Sequence, residues 1–479
     1  MASPLALAAP AALGALAYVN AKAAIGHDLS LAKSIAQGLV VTAYRQRTQR
    51  LSLFSDLEYW ATRADHKDLP LFLFQGKTWT YAQLHDTALR YGHWLRTELD
   101  IKPGQVVAMA YTTSDIFVVT WMALWSIGAK PAFINYLLTG KGLAHCLRVS
   151  TSTICLVDPA VASSVQEVSG DVSSMKIVVV TPEVQRTAFS GPAVRYPDED
   201  RKIEEKSDLA ILVYTSGTTG FPKAAIVSWQ KILRLCIITR NLMGLGKGHT
   251  VYTLKTQSMP FYHGAGSLVG FASTLFSGGT IAFSQKFSKS TFWKEIRETK
   301  ANSIVYIGEA LRYLLDAPAE HDPVTGESLD KKHNVKLIYG AGLRADVWPK
   351  FKDRFGIDTI VEFYGATEGV MGTWNISRNS LSQGAVARVG WLLRTLVYNR
   401  ATIIVLNDWE TDTPLRDANG LCIRAKVGET GELLIKVPAE NISSEFQGYY
   451  KNTKATEEKL LRDVVTRGDA WFRTGDALR

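Results

Sequence analysis

Cysteine is scarce in this chain, and its few copies are poorly placed for chemistry. The 479 residues hold four, Cys146, Cys155, Cys236 and Cys422. None stands in C-x-x-C spacing, and no histidine cluster lies nearby. That argues against a zinc site and a disulfide framework, and for a reducing compartment. Nor does any cysteine carry a recognisable nucleophile pattern. No G-x-S-x-G elbow occurs, so a Ser–His–Asp hydrolase has no support. There is no internal repeat, and no low-complexity tract beyond an alanine-rich start. Basic residues number 54 against 45 acidic, a net charge of +9, yet no basic run is long enough for a nucleic-acid arm. The plain reading of that excess is scattered solvated charge. The other is a basic face toward anionic lipid headgroups or a polyanionic cofactor.

What is present is the composition of a globular protein with a large core: 46% apolar and 21% charged residues. Disorder as the main theme is excluded. The length accommodates roughly two to four structural units.

Residues 1–21, MASPLALAAPAALGALAYVNA, carry no charged side chain, and Lys22 opens a basic flank with Lys33, Arg45, Arg47 and Arg50. The apolar stretch has about the 20 residues that a spanning helix needs. It is alanine-rich, however, and contains Pro4 and Pro10. Positive charge on its C-terminal side alone would leave the main body facing the cytosol. A cleaved signal peptide fits less well, because a basic leading region is missing. Residues 1–50 are therefore expected to be a membrane-anchor segment with a basic flank, a soluble or processed leader being the alternative.

From Leu51 helical and strand patterns alternate. Residues 81–95 have apolar positions at helical spacing, as do residues 116–127. Short apolar runs at 106–111, 133–134, 154–157 and 177–180 read as buried strands. This alternation predicts an α/β architecture with mostly parallel sheets over residues 51–384. Residues 182–206 read as a polar connection between two subdomains. From Ala385 to Arg479 the helical signal fades, and strands at 402–406 and 432–437 predict a smaller β-rich subdomain.

Residues 209–214, LAILVY, form a strand candidate running into Thr215-Ser216-Gly217-Thr218-Thr219-Gly220 and then Phe221-Pro222-Lys223. Two glycines let the backbone turn sharply and approach a ligand closely. The hydroxyls donate hydrogen bonds, and backbone N–H groups of such a loop form an anion-binding concavity. Lys223 adds a full positive charge. The set suits a polyphosphate, but it is not the P-loop pattern, because Pro222 precedes the lysine and Ala224 follows it. A Gly/Thr-rich surface loop is the bland alternative, and the length of the string weighs against it.

The string YTSGTTGFPKAA, residues 214–225, resembles the phosphate-binding signature of the acyl-adenylate-forming enzymes: acyl-CoA synthetases, luciferases and peptide-synthetase adenylation domains. INYLLTGKGLAHCL at 134–147, AAIVSW at 224–229 and FQGYYKNTKATEEKLLRDVVTRGDAWFRTGD at 446–476 are similar to the fatty acid transport protein / very-long-chain acyl-CoA synthetase branch. The resemblance covers about residues 50–479. It implies the N-terminal domain of an adenylate-forming enzyme, with two layered α/β subdomains and the small β-rich one. It implies ATP, Mg2+ and CoA as cofactors or cosubstrates, and a fatty or other carboxylic acid as substrate.

The resemblance also assigns residues. Tyr214, Thr215, Ser216, Gly217, Thr218, Thr219, Gly220 and Lys223 would bind the phosphates. His263, in PFYH at 260–263, would border the acyl pocket and help place the carboxylate. Gly340, Ala341 and Gly342 would contact adenine through backbone, which would explain the small residues. Tyr364 would stack on adenine, Gly365 would belong to the same nucleotide-binding set, Thr367 would contact the α-phosphate, and Glu368 would hold Mg2+. Asp476, in Thr-Gly-Asp, would bind ribose. Lys223, His263, Thr367 and Glu368 are the catalytic candidates. Three of these loops follow strand candidates, so they are expected to meet at the carboxyl ends of a sheet. In the family a hinge and a C-terminal domain supplying a lysine follow Thr-Gly-Asp. Here three residues follow Asp476, so residues 1–479 are expected to lack that domain, either as a fragment or truncated product or as a protein that has lost part of its activity. Residues 1–479 alone are expected to adenylate poorly and form little thioester.

Three functional readings follow. The first is a long- or very-long-chain fatty acyl-CoA synthetase coupled to fatty acid uptake, membrane-associated with a cytosol-facing core. The second is a ligase for another carboxylate. The third is a catalytically weak, membrane-associated protein that binds fatty acid or nucleotide. No nucleic acid partner is expected.

Overall fold

The computed structural model describes residues 4–215, 220–254, 260–284 and 287–479. Two helices come first, α1 (Pro4–Ala23) and α2 (Ile25–Arg47). The hairpin β1 (Pro70–Phe74) and β2 (Lys77–Thr80) follows. Then come β3 (Val106–Ala110), β4 (Lys130–Phe133), β5 (Ile154–Val157), β6 (Lys176–Val179), β7 (Leu209–Thr215) and β8 (Lys223–Ser228). These last six form one sheet, ordered β6-β5-β3-β4-β7-β8, parallel except for the antiparallel pair β7–β8. Every residue of β3 and β5 is buried, as expected of strands covered on both faces.

Strands β9 (Thr250–Thr253), β10 (Thr280–Phe283), β11 (Ser303–Ile307), β12 (Leu337–Ala341), β13 (Thr359–Tyr364) and β14 (Thr373–Ser377) join β1 and β2 in an eight-stranded sheet. Its interior pairs are parallel and its two edge strands, β14 and β2, are antiparallel. A smaller antiparallel sheet holds β15 (Thr402–Val405), β18 (Gly431–Val437), β20 (Ala470–Leu478) and β19 (Leu460–Arg462), with a two-stranded ladder of β16 (Asn407–Asp408) and β17 (Thr413–Pro414) between β15 and β18 in sequence. This is the expected α/β architecture.

The helices that cover the sheets have legible causes. Helix α3 (Tyr81–Glu98) starts at a capping box between Thr80 and Gln83. Helix α4 (Asp115–Ser126) is capped by Ser114 and buried nearly all round. It lies between the two large sheets: Trp121 meets Phe133 of the first and Phe271 beside the second, at 5.1 and 5.3 Å between ring centroids. One aromatic core therefore joins both layers.

Three expectations change. Residues 182–206 do not link subdomains. They lie between β6 and β7 of one sheet and include α5 (Pro182–Ser190), which Thr181 caps and Pro182 starts. The crossing to the second sheet runs instead through β8 and α6 (Trp229–Met243). Residues 391–401 are helical, so the β-rich region opens later than Ala385.

The third concerns residues 1–50. Helix α2 is not a separate segment, because Asp28, Leu31, Ser34, Gly38 and Thr42 are buried along one face. Asn241 of α6 donates to Ser34 Oγ and Gln37 Oε1 at 3.2 and 2.9 Å. Arg45 grips Asp56 through two bonds of 2.7 and 2.6 Å. At the other end Asp28 accepts from the Gly390 and Leu393 N–H groups at 2.7 and 2.9 Å. Among the described residues no helix is long and apolar enough to cross a membrane. In α1, Leu13, Leu16, Tyr18 and Val19 are exposed.

The substitution Asp28→Ala leaves two buried N–H groups without an acceptor, which costs about 2 kcal/mol. Urea denaturation is expected to show that loss, and limited proteolysis an earlier cut in residues 25–47. Unchanged stability and cleavage would show that Asp28 does not hold α2.

Candidate active site

The strands that flank the expected phosphate loop pair antiparallel, with Thr215 of β7 opposite Lys223 of β8. Ser216, Gly217, Thr218 and Thr219 lie outside the described residues. Gly220 is exposed, with nothing within 4 Å of a Cβ placed there. The Tyr214 ring is buried and its hydroxyl donates to Cys146 O at 2.9 Å. That side chain is committed to the core, leaving only its backbone for a ligand. The far end of the loop rests on residues 134–147. His145 stacks on Phe221 at 4.9 Å, and its Nε2 lies 3.1 Å from Pro222 O.

Lys223 and Glu368 meet through a residue that sequence reasoning missed. Residues 448–450 run beside β8, bonded from Ile226 N to Gly448 O and from Tyr450 N to Ala224 O at 3.1 and 2.8 Å. This seats Tyr449 with Lys223 Nζ 5.4 Å from its ring centroid. The Tyr449 hydroxyl donates to Glu368 Oε1 at 2.8 Å. Burial pushes its pKa up, so it stays protonated and keeps donating. Lys223 Nζ is 3.5 Å from Glu458 Oε2 on the exposed side. Lys223, Tyr449 and Glu368 thus form one connected group, with Thr215 paired opposite Lys223. Only long-range pairing creates it; the FQGYYKN string marks the segment without marking Tyr449.

The loops after β12 and β13 are adjacent because those strands are parallel neighbours. The small residue at 340 has a packing cause: a Cβ there would sit 2.1 Å from Tyr306 O. Gly342 adopts φ +78°, a left-handed conformation that favours glycine. Buried Glu362, also missed, pins this loop by accepting from Leu343 N at 3.0 Å and from the Tyr306 hydroxyl at 2.5 Å. Burial raises its pKa. Tyr364 donates to Asp476 Oδ2 at 2.5 Å, so the expected adenine and ribose residues touch. Gly365 is exposed beside them.

The same loops border a cavity of about 730 Å³, within the roughly 300–1,000 Å³ usual for ligand pockets. Ala341, Tyr364, Gly365, Thr367 and His263 line it, with apolar walls from Leu235 and Ile238 of α6 and Leu31, Ile35 and Leu39 of α2. Thr367 Oγ1 is 3.8 Å from a Cβ built on Gly264, so Thr367 and the start of the 263–272 helical segment are neighbours. His263 lies against Tyr262, and burial lowers its pKa, leaving a neutral ring at pH 7.

Lys231, another residue missed from sequence, stands in the cavity wall and donates to Glu368 O at 3.0 Å. Desolvation pushes its pKa down to about 8, against the opposing pull of Glu368 and Glu445.

Glu368 fits the role of a magnesium ligand. It is a hard carboxylate at the rim of the phosphate loop. Among the described residues no cluster of three His, Cys, Asp or Glu could cage a metal. Magnesium commonly takes one or two carboxylates and completes its shell with phosphates and water.

Loops at the carboxyl ends of neighbouring parallel strands border an apolar cavity, the place where ligands bind in open α/β sheets. The chain belongs to the AMP-binding enzyme family, whose model matches residues 58–450, and falls on its fatty acid transport protein branch. The very long-chain fatty acid transport protein of Saccharomyces cerevisiae is 36% identical over 422 residues, 85% of this chain and 60% of that protein. Its Cochliobolus heterostrophus namesake is 31% identical over 481 residues, 99% of this chain and 72% of the relative. Isopenicillin N epimerase component 1 of Hapsidospora chrysogena is 33% identical, covering 99% of this chain and 71% of the relative. The chain thus spans 60% of the length of the yeast relative. Among solved structures, the anthranilate CoA ligase AuaEII with anthranoyl-AMP shares the fold, with a TM-score of 0.68 at 16% identity, covering 89% of this chain and 74% of the other.

Proposed function

We propose that this protein activates a long- or very-long-chain fatty acid with ATP, first to acyl-AMP and then to acyl-CoA, and so couples activation to fatty acid uptake. The observation that carries this reading is the shared wall. The apolar cavity and the nucleotide loops meet at Thr367 and Tyr364. An acyl tail there has its carboxylate beside the α-phosphate.

The acid is ionised at neutral pH and needs no general base. Its obstacle is repulsion from the phosphates. The Lys223 ammonium and the loop N–H groups neutralise part of that charge. Glu368 would hold Mg2+, which supplies further neutralisation when bound. A carboxylate oxygen bonds to the α-phosphorus as the bond to pyrophosphate breaks. The CoA thiolate then takes the acyl carbon and AMP leaves. Exposed apolar residues of α1 and the basic flank support association with a membrane surface, with the core on the cytosolic side.

Acid-dependent ATP–pyrophosphate exchange tests the substrate class. Long saturated acids are expected to support more exchange than acetate or benzoate. A preference for an aromatic or polar acid would favour the second reading, a ligase of a specialised pathway, to which the Hapsidospora relative gives weight. Helix α2 gives a sharper test. A Cβ on Gly38 meets only Arg234 Cγ, at 3.9 Å, and Gly38 lines the cavity. Gly38→Phe therefore fills cavity space and is expected to shift the preferred acid to shorter chains. An unchanged chain-length profile would remove α2 from the acyl site.

A further inference from the structure

The cavity wall contains one cation whose partner is missing. Lys231 is the third residue of α6, and its side chain is only partly accessible, from within the cavity. Its Nζ donates to Glu368 O at 3.0 Å and lies 3.5 Å from Ile226 O. An ammonium has three N–H groups, so a third remains for another acceptor. Among the described residues no carboxylate oxygen lies within 4.0 Å of it. The two nearby acids are engaged elsewhere. Glu445 is gripped by Arg234 at 2.6 and 3.1 Å, and the Glu368 carboxylate accepts from Tyr449 at 2.8 Å. Holding a charge in such a place is costly unless a ligand pairs with it.

The rest of the cavity says what kind of ligand that is. Leu235 and Ile238 continue along α6, so an apolar wall extends about 10 Å beyond Lys231 at 1.5 Å per residue. Helix α2 runs beside it, with Gly38 near Arg234 and Ser34 bonded to Asn241. Arg234 lines the cavity too but is committed to Glu445, so Lys231, a cation with no carboxylate partner among the described residues at one end of an apolar channel, matches an amphiphile with one anionic head. Thr367 precedes the very residue whose carbonyl Lys231 holds, so that head would sit beside the expected α-phosphate site.

We propose that Lys231 receives the carboxylate of the acid and aligns it beside Thr367, with the tail running along α6 under α2. The inference rests on reading the cavity as the acyl site. It assigns substrate contact to a residue outside every motif recognised in the sequence. The role is electrostatic and needs no bond to form or break at the lysine.

The test compares palmitate with hexadecanol, which has the same tail and no charge. Affinities for each are measured on the full chain by displacement of a fluorescent fatty-acid probe, alongside calorimetric ATP binding. Lys231→Met is expected to weaken palmitate about 10-fold to 100-fold while hexadecanol and ATP bind as before. Lys231→Arg keeps the charge and is expected to retain most palmitate affinity. Equal losses for palmitate and hexadecanol, or loss of ATP binding with Lys231→Met, would make the lysine a structural prop and overturn the proposal. Unchanged palmitate affinity would overturn it too. If the unsubstituted chain binds neither lipid, the acyl-site reading falls and this inference falls with it.

Discussion

Glu368→Gln is expected to lower acid-dependent pyrophosphate exchange by about 100-fold to 1,000-fold, the range found when one preorganised electrostatic group is removed from an active site. The substitution is chosen to spare the fold. The Tyr449 hydroxyl can still donate to the remaining side-chain oxygen, and Lys231 bonds the backbone carbonyl of residue 368 rather than its carboxylate. What disappears is a negative charge at the rim of the phosphate loop. The loss should therefore fall on magnesium-dependent steps. ATP affinity measured with excess Mg2+ should drop, while affinity measured in chelator should change little. Retained exchange at normal magnesium would take Glu368 out of the metal site.

Glu432→Ala is expected to destabilise the small sheet by about 3 kcal/mol, the lower end for removing one partner of a buried ion pair. Glu432 is fully buried, and Arg473 reaches it with Nη2 at 2.6 Å and Nε at 3.1 Å. The same carboxylate accepts from Gly475 N at 3.1 Å, which fixes the turn into Asp476. Exposed Asp412 remains as a weaker partner for Arg473 at 2.9 Å. Two readouts should move together: the denaturation midpoint, and nucleotide affinity through a misplaced Asp476. A stable variant with normal nucleotide binding would show that the pair neither holds the sheet nor orients the ribose contact.

The strands were legible because parallel, doubly covered strands are short apolar runs, as in VVAMA and ICLV. The helix at Pro182–Ser190 was not, because its polar and proline-containing surroundings resemble a linker. Helix α2 escaped for a different reason. Its buried face is Asp28, Leu31, Ser34, Gly38 and Thr42. Four of those five are small or polar, and they are buried by close approach and hydrogen bonds rather than by apolarity. A reading based on hydrophobic period cannot see such a face.

The site divides in the same way. Glu368 and Lys223 stood out because they sit in motifs with a chemical rationale. Tyr449 and Lys231 did not, since each acquires its place only by contact with residue 368, which lies 81 positions before one and 137 after the other. At Gly340 the motif points to a small residue for backbone contact with adenine, and packing alone already requires one. The cause in the fold is the Tyr306 carbonyl of the neighbouring strand.

The central claim is that one site joins an adenylate to a long acyl chain. A stable acyl-adenylate mimic, hexadecanoyl-sulfamoyladenosine, tests it most directly by calorimetry on the chain of residues 1–479. Binding is expected to be at least about 100-fold tighter than for AMP and for the acetyl counterpart, because intermediate mimics collect the contacts of both halves. Equal affinity for the acetyl and hexadecanoyl compounds, or no binding of either, would contradict the account.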